Sequence, residues 1–536
     1  VNDDSFERGR ESGGGDRPPR GGGPRRRGRP KRPRGQAAAV NRSRPLYEQP
    51  ARRPGRSQGP RRRGPDRIAG KANVRAPRGR EGLPVEERQE PRLPSDPREA
   101  ALRILFAVDT RSAFSDRLLD AAHAAPMNGE GSERDHALMH ELVKGTLRWR
   151  GRLDYVLDQR VHIGFGQLPP WIRNVLRLGA YQLLYLDRVP AHAAVDESVK
   201  LANQYGHPGT AGLVNSVLRR IADEKDTLQI PEGDDAASLA VWGSHPLWIV
   251  ERWLERFGPA ATRELMLANN RPARLGLRNN ALKGTREQLI ERLAKEKVAA
   301  TPAVYSSEIA WVDGNHAPAG IKAFRDGHCT VQDESECLVT GLVAPQTLER
   351  ILDLCAAPGG KCTHIAERMG DEGEVWAIER QPARIASLEQ NVARLGLHAI
   401  HVAEGDGRTY AFPMPFDRVL VDAPCSGLGV LGRRADARWR KTPDILDDMP
   451  PLQEELLAAA VRRTRPGGVI VYSVCSFEPE ETVEVVERLL RETSCLVLES
   501  AEGVLPESVV DEYGFMRVLP HVHGCDGAFA ARFRKT

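Results

Sequence analysis

From residue 346 onward, short strand-like runs alternate with helical patterns, and few folds accept that order. "RILDLC" leads into the Gly-rich "AAPGGK" and a helix, and "EVWAIE" into "ARIASLEQNVARLG". "AIHVAEGD" and "FDRVLVDAP" follow, then a helix expected over 452–464, "GGVIVYSVCS", and a last strand, "GAFAARFRK". β-Branched runs alternating with amphipathic helices predict a doubly wound α/β sheet, Rossmann-like, over 346–536. In such a sheet ligands bind beyond the carboxyl ends of the strands. The chemistry is therefore to be sought at those ends.

At the first end, small residues and Gly359-Gly360 stand where a strand turns into a helix. Missing side chains let the backbone approach a ligand, and a helix N-terminus offers free N–H groups. The loop matches neither G-x-G-x-x-G nor the phosphate loop, and by itself suits a nicotinamide, a flavin or S-adenosylmethionine. Acids narrow the choice. Glu379 closes the second strand and can accept ribose hydroxyls. Asp406 closes the third and can hold an adenine amino group, and Asp422 closes the fourth. Each is singly explained as a cap or a surface residue. Three around one crevice point to S-adenosylmethionine.

Two cysteines join them, Cys425 in "DAPCSGLG" and Cys475 in "YSVCSF". Adjacent strand ends face one crevice, so both thiols are expected to meet there. C5 of cytosine is a poor nucleophile. Attack on C6 by a thiolate makes an enamine whose C5 can take a methyl group. A carboxyl near N3 can donate a proton as charge builds, and Asp422 is placed for that. The helix after Cys475 is expected to lower its pKa, with Glu478, Glu480 and Glu481 opposing. Cys329, Cys337, Cys355, Cys362, Cys495 and Cys525 read as small buried hydrophobes. No His or Cys spacing supports zinc, so no metal is expected.

Upstream the chain changes character twice. Residues 1–94 carry 26 Lys and Arg against 11 Asp and Glu, a net +15; the remainder carries 52 against 62, a net −10. "GGGPRRRGRPKRPRG" cannot bury enough apolar area to offset chain entropy, so 1–94 is read as a disordered basic tail. Such a tail can neutralise RNA phosphates; a solubilising extension is the plainer alternative. Asp96-Pro97 marks a helix start, and four further amphipathic stretches make 95–225 an all-α region. Residues 240–345 mix helices and short strands as a small α+β domain. There "RLGLRNNALKGTREQLIERL" reads as a strand, a turn and a helix capped by Thr285. Exposed Arg and Asn at that turn can touch phosphate, or simply be solvated.

The eight cysteines all follow position 328, with no C-x-x-C pair, which argues against a disulfide framework and fits a reducing cytoplasm. No apolar run of membrane-spanning length and no secretory h-region is present, so neither membrane nor export is expected. A monomer is expected.

"ERDHALMHELVKGTLRWRGRLDYVL", "VPAHAAVDESVKLA" and "GLVNSVLRRI" resemble the NusB-like helical domain, which implies RNA contact. "DLCAAPGGK", "EGDGR", "DAPCSGLG", "RWRKTPDIL", "YSVCSFEPEE" and "LPHVHGCDGAFAARF" resemble the Sun (Fmu) family of RNA cytosine-5 methyltransferases. All of 95–536 resembles its bacterial branch acting on 16S rRNA. The resemblance implies that Cys475 is the nucleophile and that Cys425 assists release of the methylated base. It also implies that Cys355, Ala356, Ala357, Pro358, Gly359, Gly360 and Lys361, with Glu379, Asp406 and Asp422, hold S-adenosylmethionine. Three positions depart from the family: Val474 replaces a usual Thr, Glu379 an Asp, and "DGAF" the usual "DGFF". Two other readings stay open. The helical region alone suits a non-catalytic RNA-binding or antitermination factor. A Pro-Cys pair after the fourth strand, as at Cys425, also occurs in DNA cytosine-5 methyltransferases, against which Cys475 argues. The sequence does not reveal which cytosine is modified; a base within a helix would have to be flipped out.

Overall fold

A computed structural model describes residues 93–124, 132–314 and 316–536. The basic tail lies outside the described residues, except Leu93 and Pro94, and Leu93 already packs on the helical core. Helices α1 (Pro97–Arg111), α2 (Ser115–Ala124), α3 (Ser132–Arg148), α4 (Arg150–Asp158), α5 (Pro170–Tyr185), α6 (Ala191–Tyr205) and α7 (Pro208–Glu224) form the all-α region. The Asp96 carboxylate caps α1 by accepting the Glu99 N–H at 2.7 Å. α5 is buried on nearly every side and runs through the middle; its Val175, Leu176 and Leu178 join Leu105, Val143 and Leu218 in one core.

α8 (Ala236–Trp242) and the long α9 (Leu247–Asn270), kinked at Gly258-Pro259, lead into a small antiparallel sheet. Its strands β1 (Leu275–Asn279), β2 (Ala300–Pro302), β3 (Ile309–Val312) and β4 (Cys329–Val331) lie in the order β2-β3-β1-β4. α10 (Arg286–Lys295) carries the expected Thr285 capping box with Gln288. The turn before it differs from expectation. Arg278, Asn279 and Asn280 are buried: Arg278 and Asn280 reach into the neighbouring α/β region, and Asn279 donates to the Gly284 carbonyl within the turn itself.

After α11 (Lys322–Arg325) and α12 (Glu334–Val343) the α/β region begins with β5 (Arg350–Asp353), α13 (Gly360–Arg368), β6 (Glu374–Glu379) and α14 (Pro382–Leu395). It continues with β7 (Ile400–Glu404), β8 (Phe416–Asp422), α15 (Ala437–Arg440), α16 (Ile445–Arg463) and β9 (Thr464–Val474). It closes with α17 (Val483–Glu492), β10 (Leu496–Glu499), β11 (Met516–Val518), α18 (Pro520–His523) and β12 (Ala528–Lys535). The sheet order is β10-β12-β9-β8-β5-β6-β7, with β5 to β9 mutually parallel and β12 antiparallel between β9 and β10. Ile351, Val419, Leu420, Ile470 and Val471 are wholly buried, as a parallel sheet covered on both faces requires. The chain runs from β5 outward to β7, then returns to β8 on the other side of β5. The crevice of a doubly wound sheet opens at that reversal. α16 begins at Ile445, not near 452, so Pro450 and Pro451 lie inside it. They are its sixth and seventh residues, just past the four N–H groups that a helix start leaves unpaired, so each gives up one hydrogen bond, to the Leu446 and Asp447 carbonyls.

Candidate active site

The first wall of the crevice is the turn between β5 and α13. The Ala356 N–H reaches the Ile378 carbonyl at 2.9 Å, and the Gly359 N–H turns back to the Ala356 carbonyl at 2.8 Å. Gly359 adopts φ 106°, and a Cβ there would stand 2.7 Å from Leu388 Cδ1, so only glycine fits. Ala356 and Ala357 are buried, and the Arg384 guanidinium grips the Ala357 carbonyl. Asn391 holds the Pro358 carbonyl at 3.0 Å.

The predicted acids all lie at strand ends, each in a different setting. Glu379, buried, accepts the Gln381 N–H at 2.8 Å and pairs with Arg384 at 3.1 Å. Asp406 lies two residues beyond β7. Arg408 donates to both its oxygens, at 2.9 and 2.6 Å, and those hydrogen bonds hold its carboxyl down at about 2. Asp422 accepts from Lys361 Nζ at 2.8 Å and from Ser473 Oγ at 2.7 Å. Burial disfavours the Lys361 charge, but the Asp422 and Glu336 carboxylates hold it above its ordinary value. Lys361 thus engages the fourth-strand acid directly, which its place in the Gly-rich loop did not announce.

A further acid escaped the sequence reading. Asp353 ends β5, wholly buried, and accepts the Cys355 N–H at 3.2 Å. Burial first, and then the charge of Asp422, raises its carboxyl to about 7. No ion pair forms with it among the described residues. Its signal was in plain view: it closes the first strand as Glu379 closes the second. The crevice therefore ends in four carboxylates, one lacking a cation of its own. Such a lining suits a cationic ligand, with an ammonium and a sulfonium, and opposes a pyrophosphate. With Gly359 leaving room and Glu379 facing the crevice end, the residues fit S-adenosylmethionine.

The two cysteines converge. Cys425 follows β8 and Cys475 follows β9; their sulfurs stand 3.2 Å apart and both are half-buried. The Cys425 thiol, hydrogen-bonded to Cys475, lowers the Cys475 pKa; Arg434 and Lys361 add to this, against burial and Asp422. Cys425 is driven the opposite way, well above the usual thiol range, by the same contact and by burial. Of the two thiols, the contact therefore favours ionisation of Cys475 over that of Cys425. The expected helix plays no part: α17 starts only at Val483, after a short 3₁₀ turn at Pro479–Glu481. Arg434 supplies the charge instead, from an otherwise unremarked "RRAD".

The three glutamates are each engaged by other groups. Glu478 is fully buried and accepts from Arg252 and Arg256 at 3.0 Å each and from Trp253 Nε1 at 3.2 Å. Glu480 pairs with Arg252 at 2.7 Å. Glu481, also buried, accepts the Ser426 N–H at 2.6 Å and the Ser426 hydroxyl at 2.5 Å. It thereby clamps the Cys425 loop to the Cys475 loop. The Gly429 N–H, which reaches the Cys475 carbonyl at 3.0 Å, adds a second clasp.

Of the other cysteines, Cys329, Cys337, Cys362 and Cys525 are buried as expected, while Cys355 and Cys495 are only half-buried. Among the described residues, side chains of metal-ligating type converge once, at Glu308, Cys337 and His364. His364 lies 3.1 Å from the Glu308 carboxylate, and the Cys337 thiol 3.5 Å from the same oxygen. Burial and Arg278 push His364 down to about 4, so a neutral ring donates to a carboxylate that Arg368 and Arg278 also face.

A family model described as 16S rRNA methyltransferase RsmB/F matches residues 340–534. A NusB family model matches 95–223, and a ferredoxin-like domain of RsmF/B-like methyltransferases matches 245–314. A probable ribosomal RNA small subunit methyltransferase B of Synechocystis is 36% identical over 445 residues, 82% of this chain and 99% of its own. The ribosomal RNA small subunit methyltransferase B of Serratia proteamaculans is 35% identical, over 75% of this chain and 91% of its own. The crystal structure of PH0851 superposes with a TM-score of 0.71 at 25% identity, over 83% of this chain and 99% of that one. With near full-length relatives of this kind and the paired cysteines in the crevice, the chain belongs to the bacterial RsmB/F family of 16S rRNA methyltransferases that carry a NusB-like domain.

Proposed function

We propose that the protein methylates C5 of a cytosine in 16S rRNA through a covalent bond between Cys475 and C6. The observation that carries this reading is the pair of sulfurs 3.2 Å apart, with the thiolate favoured on Cys475. The Cys475 electron pair forms the S–C6 bond, and the ring's charge moves toward N3. Asp422 takes a proton from the Lys361 ammonium beside it and passes it to that nitrogen. C5 is then nucleophilic. S-adenosylmethionine supplies the methyl group and the positive charge that makes it transferable. Cys425 serves the last step: water takes the C5 proton, the C5–C6 double bond re-forms, the S–C6 pair returns to Cys475 as a thiolate that the Cys425 thiol receives with a hydrogen bond, and N3 gives its proton back through Asp422 to Lys361.

Glu379 holds the donor's ribose, Asp406 its adenine amino group, and the Cys355–Lys361 turn its backbone-facing side. Asp353 receives its ammonium. The helical region and the small sheet present the RNA, and the unit acts as a monomer in the cytoplasm, without a metal. No described helix is long and apolar enough to cross a membrane. The test is to incubate the protein with labelled methyl donor and either 16S rRNA or DNA, then map the methylated atom. Label confined to C5 of cytosine in rRNA is expected. Label in DNA, or at another atom, would overturn the proposal, and no label at all would favour the antitermination-factor reading.

A further inference from the structure

The small sheet reaches the donor loop through one side chain. Arg278, on the interior strand β1, is wholly buried. Its Nη1 donates to the Gly360 carbonyl at 2.7 Å and also to Gln332 Oε1. Its Nη2 donates to Glu367 Oε1 at 2.8 Å and to Thr363 Oγ1 at 3.2 Å, and its Nε reaches Glu367 Oε2 at 3.3 Å. Thr363 in turn donates to the Gly359 carbonyl at 2.6 Å. One guanidinium thus spans α13 from its first residue to its last turn, and holds both glycine carbonyls, one directly and one through a hydroxyl. Two further ties run the same way. Asn280 donates to the Leu395 carbonyl at 3.2 Å, and Arg394 to the Cys329 and Phe324 carbonyls at 2.7 Å each.

We infer that Arg278 is a positioning residue of the donor site, so that the small sheet is a working wall of that site and not only a presenter of RNA. The inference rests on the S-adenosylmethionine reading above. The chemistry favours arginine in this position. A planar fork with five donors can serve a carbonyl, a hydroxyl and a carboxylate at once, whereas a lysine ammonium, a compact point charge, cannot fill that arrangement. A hydrogen-bonded fork fixes the φ-strained glycine turn against which the donor must lie, and a loosened turn costs donor affinity before it costs anything else.

The test uses the full chain with Arg278→Lys, and with Arg278→Met combined with Glu367→Met, which removes the buried pair as a unit and leaves no uncompensated charge. Calorimetry gives the affinity for S-adenosylmethionine, and filter binding gives that for a 16S rRNA fragment. Both variants are expected to lose about tenfold or more in donor affinity, the size of one charge-assisted hydrogen bond. RNA affinity should stay within about twofold, and turnover should recover at saturating donor, a split that a folding defect does not produce. Wild-type donor affinity in either folded variant overturns the inference, as does a parallel fall of donor and RNA affinity. Should Arg278→Lys not fold, the double variant decides. Donor binding by the wild type is the control that separates this inference from the cofactor reading itself.

Discussion

Replacing Asp353 by asparagine should stabilise the unliganded protein and weaken its hold on the methyl donor. The carboxyl is wholly buried and its pKa is raised from 3.8 to about 7, which corresponds to about 4 kcal/mol of stability withheld when it ionises. The sign follows from proton linkage. The folded protein binds this proton more tightly than the unfolded chain, so stability falls as pH rises from about 4 to about 7 and stays low above that. Asparagine keeps the shape and can still accept the Cys355 N–H, but carries no charge. Its amide has a desolvation cost of its own, the same at every pH, so the expected gain is about 1–4 kcal/mol at pH 8 and about 2–3 kcal/mol less than that at pH 5. For a region of this size each kcal/mol moves the melting midpoint by about 2–4 °C, within reach of scanning calorimetry at the two pH values. Donor affinity should fall at least about tenfold as the ammonium loses its partner. An equal stability change at both pH values would refute the assignment of the buried charge. Unchanged donor affinity would remove Asp353 from the site.

Four further outcomes are expected. Cys475→Ala should abolish methylation while donor still binds, and Cys425→Ala should accumulate an enzyme–RNA adduct that survives denaturing electrophoresis; the reverse pattern would exchange their roles. Asp406→Ala should weaken donor binding without affecting adduct formation, and wild-type affinity by calorimetric titration would exclude it. Single-turnover adduct formation should rise with pH and level off below the usual thiol range, because the Cys475 pKa is lowered; a rise continuing beyond pH 9 would contradict that. Removing residues 1–94 should weaken RNA affinity and flatten its salt dependence while leaving donor affinity intact, and an unchanged slope would dismiss the tail as an RNA contact.

What was legible in the sequence was whatever a local rule encodes. Thr285 and Asp96 announce their helices because caps act within three residues. Cys425 and Cys475 could be brought together because the order of strands fixes which ends are neighbours. Partners distant along the chain were not legible. Glu481 looked hostile to a thiolate, yet its carboxylate is consumed by Ser426, 55 residues earlier in sequence. Arg278 looked like a surface residue of a turn because nothing nearby predicts a carboxylate 89 positions on. The Cys475 environment was misassigned for a related reason. A helix pattern follows the cysteine, but where it starts is settled by the burial of Glu478 and Glu481, a tertiary matter.

Arg438 gives the three-part chain a limit on its modularity. Its guanidinium is fully buried and meets the carbonyls of Arg148, Ser244, Asn269 and Leu431 and the side-chain oxygen of Asn270, with no carboxylate among these contacts. Burial first, then repulsion from Arg148, lowers it to about 9. Of those five oxygens only that of Leu431 belongs to the α/β region. A fragment beginning near residue 340 would leave this cation without four of its five partners on a newly exposed face, and a chimera grafting the region onto a foreign helical partner would bury it unmatched. Recombination between relatives is therefore expected to conserve the junction as a block, and a transplanted catalytic half to need its own replacement for this one side chain before it expresses as a soluble protein.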